Sequence, residues 1–110
     1  MLRELKGTQR LPRVLAFRVD GTGTASILEG AFDATLTDNG TGDYTLTFAK
    51  PFARVPVVLG ASILAASGVV EIDAISVTAI GIKIFAVDGT TAADRDFHVA
   101  LLGFDSADQT

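Results

Sequence analysis

The sequence predicts an all-β fold: a single antiparallel β-sandwich or jelly roll of seven or eight strands with an extended N-terminal arm. Apolar and polar residues alternate over short segments such as Tyr44 to Phe48, which is the period of a strand with one buried face. Turn-forming glycine, aspartate, asparagine and threonine residues separate these segments. No window shows the 3.6-residue period of an amphipathic helix. Short strands divided by turns are typical of sandwiches and jelly rolls.

Length and composition indicate one domain with an apolar surface. The chain has 110 residues, a usual size for a single domain. We divide it into a basic arm over residues 1–13, a sandwich domain over 14–104 and a polar tail over 105–110. Hydrophobic residues make up 48% of the chain, and the mean hydropathy of +0.41 is high for a small domain. We therefore expect apolar surface to contact other subunits.

Two absences narrow the class of protein further. The chain has no cysteine, which excludes disulfides and thiolate metal sites. The longest uncharged run, Val55 to Val70, contains proline, glycine and serine and falls short of the roughly 18 apolar residues of a membrane span. Charges interrupt the first residues, which do not resemble a signal peptide. We expect no membrane association, no cofactor, and synthesis in the cytoplasm.

Charge is distributed unevenly along the chain. Residues 1–18 contain five basic residues and one acidic residue, whereas the remainder contains four basic and twelve acidic residues. A basic arm on an acidic body favours docking onto an acidic neighbour through Arg3, Lys6, Arg10 and Arg13. The alternative is a solvated terminus without a partner. Nucleic-acid binding is not expected, because it needs a basic face interleaved with aromatic residues.

The first half of the domain is predicted to contain two strand regions before the central hairpin. Val14 to Val19 is the first strand, and Ser26 to Leu36 is the second strand region. Within the second region, Phe32 and Leu36 are expected to share one face, because side chains alternate along a strand. Gly30 is expected to mark a bulge or a break.

The central hairpin is the strongest local signal in the sequence. Asn39-Gly40 lies between two alternating runs and predicts a tight turn that pairs Ala31 to Thr37 with Tyr44 to Phe48. Pro51 follows, and because proline cannot donate a ladder hydrogen bond, regular pairing should stop there. Phe52 is then expected to return a large ring to the core.

A long apolar segment opens the second half. Val55 to Ile63 is nearly continuously apolar, which suits a strand covered on both faces, by a second sheet or by a neighbouring subunit. Further strands are predicted at Val69 to Val77, Ile82 to Val87 and Phe97 to Phe104, with a polar loop from Asp88 to Asp94. We expect four phenylalanine rings in the core: Phe48, Phe52, Phe97 and Phe104.

Patterns for catalysis or metal binding are weak. His98 is the only histidine and lies within a predicted strand without a nearby nucleophile elbow, so we favour a structural or interfacial role over a Ser-His-Asp triad. Asp38 and Asp43 beside Asn39 could supply oxygen ligands to a cation, but the EF-hand pattern is absent and turn chemistry explains these residues. We therefore expect no catalytic residues, no metal site and no enzymatic activity.

Several segments resemble a known class of protein. These are Gly42 to Phe48 (GDYTLTF), the Pro51-Phe52 pair, Val55 to Val58 (VPVV), Ile75 to Asp88, and Phe97 to Phe104 (FHVALLGF). Together they resemble small β-sandwich domains of tailed-bacteriophage virion proteins, which form capsid decoration (cement) proteins and the tips of head or tail fibres. The second half also resembles the H-type lectin pattern.

The resemblance implies a structural protein of the virion. A decoration protein would bind the major capsid protein on the capsid surface as a trimer and stabilise the shell. The chain has no collagen-like or heptad stalk of the kind that fibre proteins usually carry, which favours decoration. The alternative is a fibre-tip or lectin-like module that binds a host glycan, with Asp43 and Asp94 on its ligand-binding loops.

Overall fold

In the computed structural model, which describes residues 10–64 and 66–106, all regular elements of this part of the chain are β-strands. The strands are β1 (Arg10–Asp20), β2 (Ser26–Glu29), β3 (Ala34–Gly40), β4 (Asp43–Phe48), β5 (Val57–Ile63), β6 (Val69–Ile75), β7 (Ala79–Phe85) and β8 (Phe97–Ser106). Sheet A has the order β2-β1-β8-β5 and sheet B the order β3-β4-β7-β6. Each pairing within them is antiparallel. The all-β class is confirmed, and the two antiparallel sheets fit the predicted sandwich.

Strand β1 begins earlier than expected. It was predicted to start at Val14 but begins at Arg10. Arg10 pairs with Ser106, the last residue of β8. Pro12 is tolerated because, among the described strands, β2 reaches β1 only from Arg18 onwards and leaves the proline on the outer edge of β1 without a ladder partner on that side. Residues 10–13 and 105–106 therefore belong to sheet A, and not to the expected arm and tail. Residues 1–9 and 107–110 lie outside the described residues.

Inward-facing side chains from both sheets form one core. The largest are aromatic: the rings of Tyr44 and Phe97 lie 5.3 Å apart, and those of Phe48 and Phe52 meet edge to face at 5.2 Å. Aromatic pairs prefer such offset or edge-to-face arrangements. Alternate isoleucine and leucine side chains of β4 and β7 fill the space between the sheets, as period-two strands require. The core is thus built from whole strand faces.

Three of the four predicted core phenylalanines are buried. Phe48, Phe52 and Phe97 are at most 5% exposed, whereas Phe104 is 37% exposed, so the prediction for Phe104 is wrong. Phe97 and Phe104 lie on the same strand, seven residues apart. Because successive side chains point to opposite faces of a strand, an odd separation places the two rings on opposite sides of sheet A.

The predicted break at Gly30 is confirmed, but it removes Phe32 from the strand. Gly30 has a φ of 91°, and the Asp33 amide donates to its carbonyl oxygen at 2.9 Å, which closes a turn between β2 and β3. A Cβ on Gly30 would lie 2.6 Å from the Ala16 carbonyl oxygen, so only glycine fits this close approach. Phe32 lies in the turn and is 98% exposed, so the expected face shared with Leu36 does not form.

The β3–β4 hairpin and the Pro51 break form as predicted, but the turn lies two residues later than the Asn39-Gly40 pair that predicted it. Strand β3 pairs with β4 in the register Thr37 to Thr45, a bulge falls at Asn39, and Thr41 and Gly42 make the turn, where Gly42 takes a positive φ. After Pro51, the Phe52 amide donates to a carbonyl oxygen in the β6–β7 turn, and the ring enters the core. Proline thus ends the ladder, while the next residue is held by both packing and a backbone hydrogen bond.

Strand β5 is not covered by the second sheet on its outer side. It lies at the edge of sheet A and pairs only with β8 among the described strands. Val57 and Leu59 are 62% and 57% exposed, whereas Val58 and Ile63 pack against the core. Of the two expected covers, a second sheet is not found over the outer face of β5 among the described residues, and coverage of that face by a neighbouring subunit stays a prediction.

Arg13 stabilises the end of the sandwich instead of extending from an arm. Its guanidinium carbon lies 4.0 Å from the centre of the Phe52 ring, and Nη2 lies 3.0 Å from Asp105 Oδ1. The same nitrogen donates to the carbonyl oxygens of Lys50 and Pro51 at 2.9 and 3.2 Å. One side chain thereby joins β1, β8 and the link that follows β4. A guanidinium suits this role because it stacks on a ring while donating in its own plane.

Truncating Phe97 and Phe104 should have very different effects on folding. Phe97→Ala removes a fully buried ring and is expected to lower the free energy of unfolding by about 3–5 kcal/mol. Phe104→Ala, the matched control on the same strand, should cost much less because its ring lies on the outer side of sheet A. Denaturant unfolding of both variants checks this, and equal losses would contradict the assigned phase of β8.

Candidate interaction surface

The outer side of sheet A presents a continuous apolar surface, which we call the apolar face. It follows from the same alternation that builds the core, because most residues between the buried positions of β1, β8 and β5 are themselves apolar. Its members are Pro12, Val14, Ala16, Val57, Leu59, Gly60, Ala100, Leu102 and Phe104. None of them is charged.

Strand register arranges the apolar face in rows of different height. Val14, Leu102 and Val57 lie opposite one another and form a row of large side chains. The next row along the strands consists of Ala16, Ala100 and Gly60, which are all small. A depression of about 890 Å³ lies over this small row, bordered by Leu59 on one side and by Gly30 on the other. The surface therefore has a ridge beside a groove.

One end of the groove is polar. The row beyond the small residues contains Arg18, His98 and Ser62, which pair in register across β1, β8 and β5. Glu29 of β2 lies opposite Arg18 and also lines the depression. The cation and the anion at this end offset each other in charge. His98, expected to be structural or interfacial, is exposed on this surface.

The outer side of sheet B has the opposite character. Its outward positions include Thr35, Thr37, Thr45, Thr47, Glu71 and Lys83. The threonines form two cross-strand pairs between β3 and β4, and Glu71 lies opposite Lys83 between β6 and β7. Such pairs are typical of a solvated sheet face. The two sheets share one core, yet only sheet A has an apolar outer side in the part of the chain that the structure describes.

The contrast between the two outer sides indicates which kind of interaction the apolar face can make. Covering it would remove apolar surface from water, at about 25 cal/mol per Å². Monomeric proteins rarely expose apolar patches beyond a few hundred Å², and larger ones mark sites of association. Side chains within the apolar face offer apolar contacts, which suit binding to a protein.

A second cluster of polar side chains lies at the end of the sandwich where the hairpin turn meets the loop before β8. The Tyr44 hydroxyl lies 2.9 Å from both the Gly21 carbonyl oxygen and Asp94 Oδ1. The Gly42 amide donates to the same carboxylate oxygen at 2.8 Å. Burial, followed by the hydrogen bond to Asp94, raises the pKa of Tyr44 well above its usual value.

This network assigns Asp94 a structural role. In the lectin-like alternative Asp94 was a ligand-binding residue, but its carboxylate already accepts two hydrogen bonds within the chain. Gly21 must be glycine here, since a Cβ would lie 2.6 Å from the Tyr44 hydroxyl. The aspartate, the tyrosine and the two glycines hold three loops together. Ligand binding through Asp94 would have to compete with these contacts.

Two further aspartates, Asp20 and Asp96, lie next to each other at the same end of the sandwich. Hydrogen bonds from the Thr22 hydroxyl and amide lower the pKa of Asp20. Burial, and then the neighbouring Asp20 carboxyl, raise the pKa of Asp96, which accepts a hydrogen bond from the Gly21 amide. The described residues contain no group of three or more histidine, aspartate or glutamate side chains arranged to hold a metal ion.

The remaining candidate residues are dispersed. Arg3 and Lys6 lie outside the described residues, Arg10 begins β1, and Arg13 contacts the interior of the sandwich end. Asp43 lies on the outer side of sheet B, beside a polar depression of about 360 Å³. The four basic residues thus do not form one described cluster.

Sequence reasoning missed the apolar face. The signal that could have found it is the run from Val99 to Phe104 (VALLGF), in which both alternating sets of positions are apolar. A strand with two apolar faces needs a cover on each side. The prediction of a strand covered on both faces was made from such a pattern for β5 and not for β8. In β1 the pattern is less clear, because Arg13 and Arg18 interrupt it.

Titration of Tyr44 should report on the loop network. Because folding raises the pKa of its hydroxyl, the stabilisation is complete below pH about 10 and declines as the pH rises further. Tyr44 is the only tyrosine, so tyrosinate absorbance observes it alone. We expect tyrosinate to form at higher pH in the folded protein than in denaturant; superimposable curves would contradict the buried hydrogen bond.

The matched variant is Tyr44→Phe, which keeps the ring and removes the hydroxyl. It should lower the free energy of unfolding at pH 7 by about 1–3 kcal/mol, because it removes the single hydroxyl hydrogen that the Asp94 carboxylate and the Gly21 carbonyl oxygen share. The difference in free energy of unfolding between Tyr44→Phe and wild type should narrow above pH 10. A difference that stays constant with pH would contradict the assigned hydrogen bonds of the Tyr44 hydroxyl.

No helix in the described part of the chain is long and apolar enough to cross a membrane. Comparison of the chain with protein-family models, with curated proteins and with solved structures finds no match.

Proposed function

We propose that this chain is a structural protein of a tailed-bacteriophage virion, a capsid decoration protein that assembles as a homotrimer and stabilises the shell. The observation that carries the proposal is the apolar face, which makes one side of an otherwise solvated domain suited to association. The segmental resemblance to virion β-sandwich proteins supplies the biological setting. A jelly-roll arrangement of the strands belongs to the same proposal.

The physical mechanism is binding that favours the assembled state. A protein that binds neighbouring capsid subunits together, and not the dissociated subunits, shifts the equilibrium towards the shell by mass action. A rigid domain suits this role, because little conformational entropy is lost when it docks. The aromatic core and the Arg13 contacts provide such rigidity in the described part of the domain.

Docking onto the shell is assigned to the basic N-terminal residues. Arg3, Lys6 and Arg10 precede the first inward-facing core residues, and the rest of the chain is strongly acidic. Separation of charge of this kind favours oriented docking onto an acidic surface. The guanidinium of Arg13 is engaged within the domain, so we no longer include it among the docking residues.

A glycan-binding module is a second candidate, and one observation favours it. The polar depression on the outer side of sheet B is lined by Asn39, Asp43 and Asp73, whose side chains can hydrogen-bond sugar hydroxyls. Host attachment through a fibre tip would use such a site. Asp43→Ala tests it without disturbing the loop network, in which Asp43 takes no part through its side chain among the described hydrogen bonds.

The decisive measurement for the proposed function is the location and copy number of this chain in its native particle. A decoration protein follows the capsid lattice, so regular density over the shell and hundreds of copies are expected. Density confined to the tail or to fibre ends, or glycan binding that Asp43→Ala abolishes, would overturn the proposal in favour of the attachment module.

Removing residues 1–9 should separate docking from folding. The deletion leaves β1 intact, so the unfolding transition should stay unchanged, whereas binding to purified shells at low salt should weaken. Removing residues 1–13 is the informative comparison, because it also removes Arg13 and should destabilise the domain. Equal shell binding by full-length protein and the 1–9 deletion would show that these residues have no docking role.

A further inference from the structure

We propose that the apolar face binds other copies of this chain, so that the subunits of the oligomer turn their sheets A towards one another. The inference rests on the proposed function in giving the apolar face an assembly role, and it goes further by naming the partner as the chain itself. The shell would then be contacted by other surfaces, including the basic N-terminal residues.

The first argument is shape. The row of Val14, Leu102 and Val57 stands beside the row of Ala16, Ala100 and Gly60, and each row crosses the same three strands. Because each row crosses the same three strands, the ridge of one copy can lie in the groove of a second copy, and the groove can receive the second copy's ridge. Small residues in the groove let two backbones approach closely, as close-packed sheet interfaces require.

The second argument is charge. Beyond residue 18 the chain carries twelve acidic and four basic residues, so most contacts between copies would bring like charges together. The apolar face avoids this repulsion because its own residues are uncharged. At its polar end Arg18 and Glu29 are present in equal number, so copies that meet there can pair opposite charges.

The third argument comes from the open edge. Strand β5 contains no charged residue over Val57–Ile63, whereas β6, one of the two edge strands of sheet B, carries Glu71 and Asp73. Charges on edge strands protect against unwanted association, and β5 has none. A Cβ built on Gly60 meets nothing within 4 Å, so the groove is open on the side from which a partner would enter.

Gly60 provides the sharpest test, because a larger residue there fills the groove without straining the subunit. The valine side chain of Gly60→Val would meet open space within one chain. In the oligomer it would occupy the volume that the partner subunit fills. The matched control is Gly81→Val on the outer side of sheet B, where a Cβ makes ordinary contacts at 3.7 Å. Val14→Glu, with Thr37→Glu as its control, tests the ridge in the same way.

Analytical ultracentrifugation at about 1 to 100 µM, with circular dichroism to confirm folding, measures the outcome. Wild type, Gly81→Val and Thr37→Glu are expected to form the same oligomer, whereas Gly60→Val and Val14→Glu should associate at least 100-fold more weakly. A monomeric wild type, or folded Gly60→Val and Val14→Glu that keep the wild-type mass, would overturn the inference.

Cysteine crosslinking gives an independent readout, because the chain has no cysteine of its own. Ala100→Cys lies in the groove and should form disulfide-linked pairs on mild oxidation, whereas Thr47→Cys on the opposite sheet should not. Crosslinking of Thr47→Cys alone would place the interface on sheet B and contradict the inference.

Failure of this inference is distinguishable from failure of the proposed function. A wild-type monomer that still covers the capsid lattice in regular density would remove self-association and leave decoration standing. An oligomer dispersed by Gly60→Val, yet missing from native particles, would leave the interface standing and remove decoration.

Discussion

The antiparallel ladder between β1 and β8 is the constraint on which the rest of the structure depends. It joins every residue from Arg10 to Val19 with a partner between Phe97 and Ser106. On one side it supplies Phe17, Val99 and other core residues, and on the other it supplies most of the apolar face. Because side chains alternate along both strands, one register determines both surfaces, and a slip of one residue would exchange them.

Each end of the sandwich is stabilised by one buried or half-buried polar side chain that serves several segments. At one end Arg13 stacks on Phe52 and contacts Asp105, which ties β1 to β8. At the other end Tyr44 and Asp94 join three loops. A polar group that is buried without a hydrogen-bond partner lowers the free energy of unfolding. Loss of one partner in either group of contacts would therefore leave the remaining polar atoms unsatisfied. Loops that would otherwise be free to bind ligands are thereby committed to the fold.

The outer surfaces of the two sheets have opposite character. Sheet B carries threonine pairs and opposite charges, which interact well with water. Sheet A carries valine, leucine and phenylalanine where solvation would favour polar residues. The depression over the small row of sheet A is lined by apolar side chains and backbone, with Arg18, Glu29 and His98 at its polar end.

The sequence by itself determined the features that depend on neighbouring residues. The all-β class, the hairpin between β3 and β4, the break at Gly30 and the end of pairing at Pro51 all follow from local backbone preferences. Only the tertiary structure decided the features that depend on strand order. The exposure of Phe104, the edge position of β5, the inclusion of Arg13 in sheet A and the composition of the apolar face all require knowing which strands pair. That information lies in contacts between residues far apart in the chain, such as the ladder between β1 and β8, and short-range periodicity does not contain it.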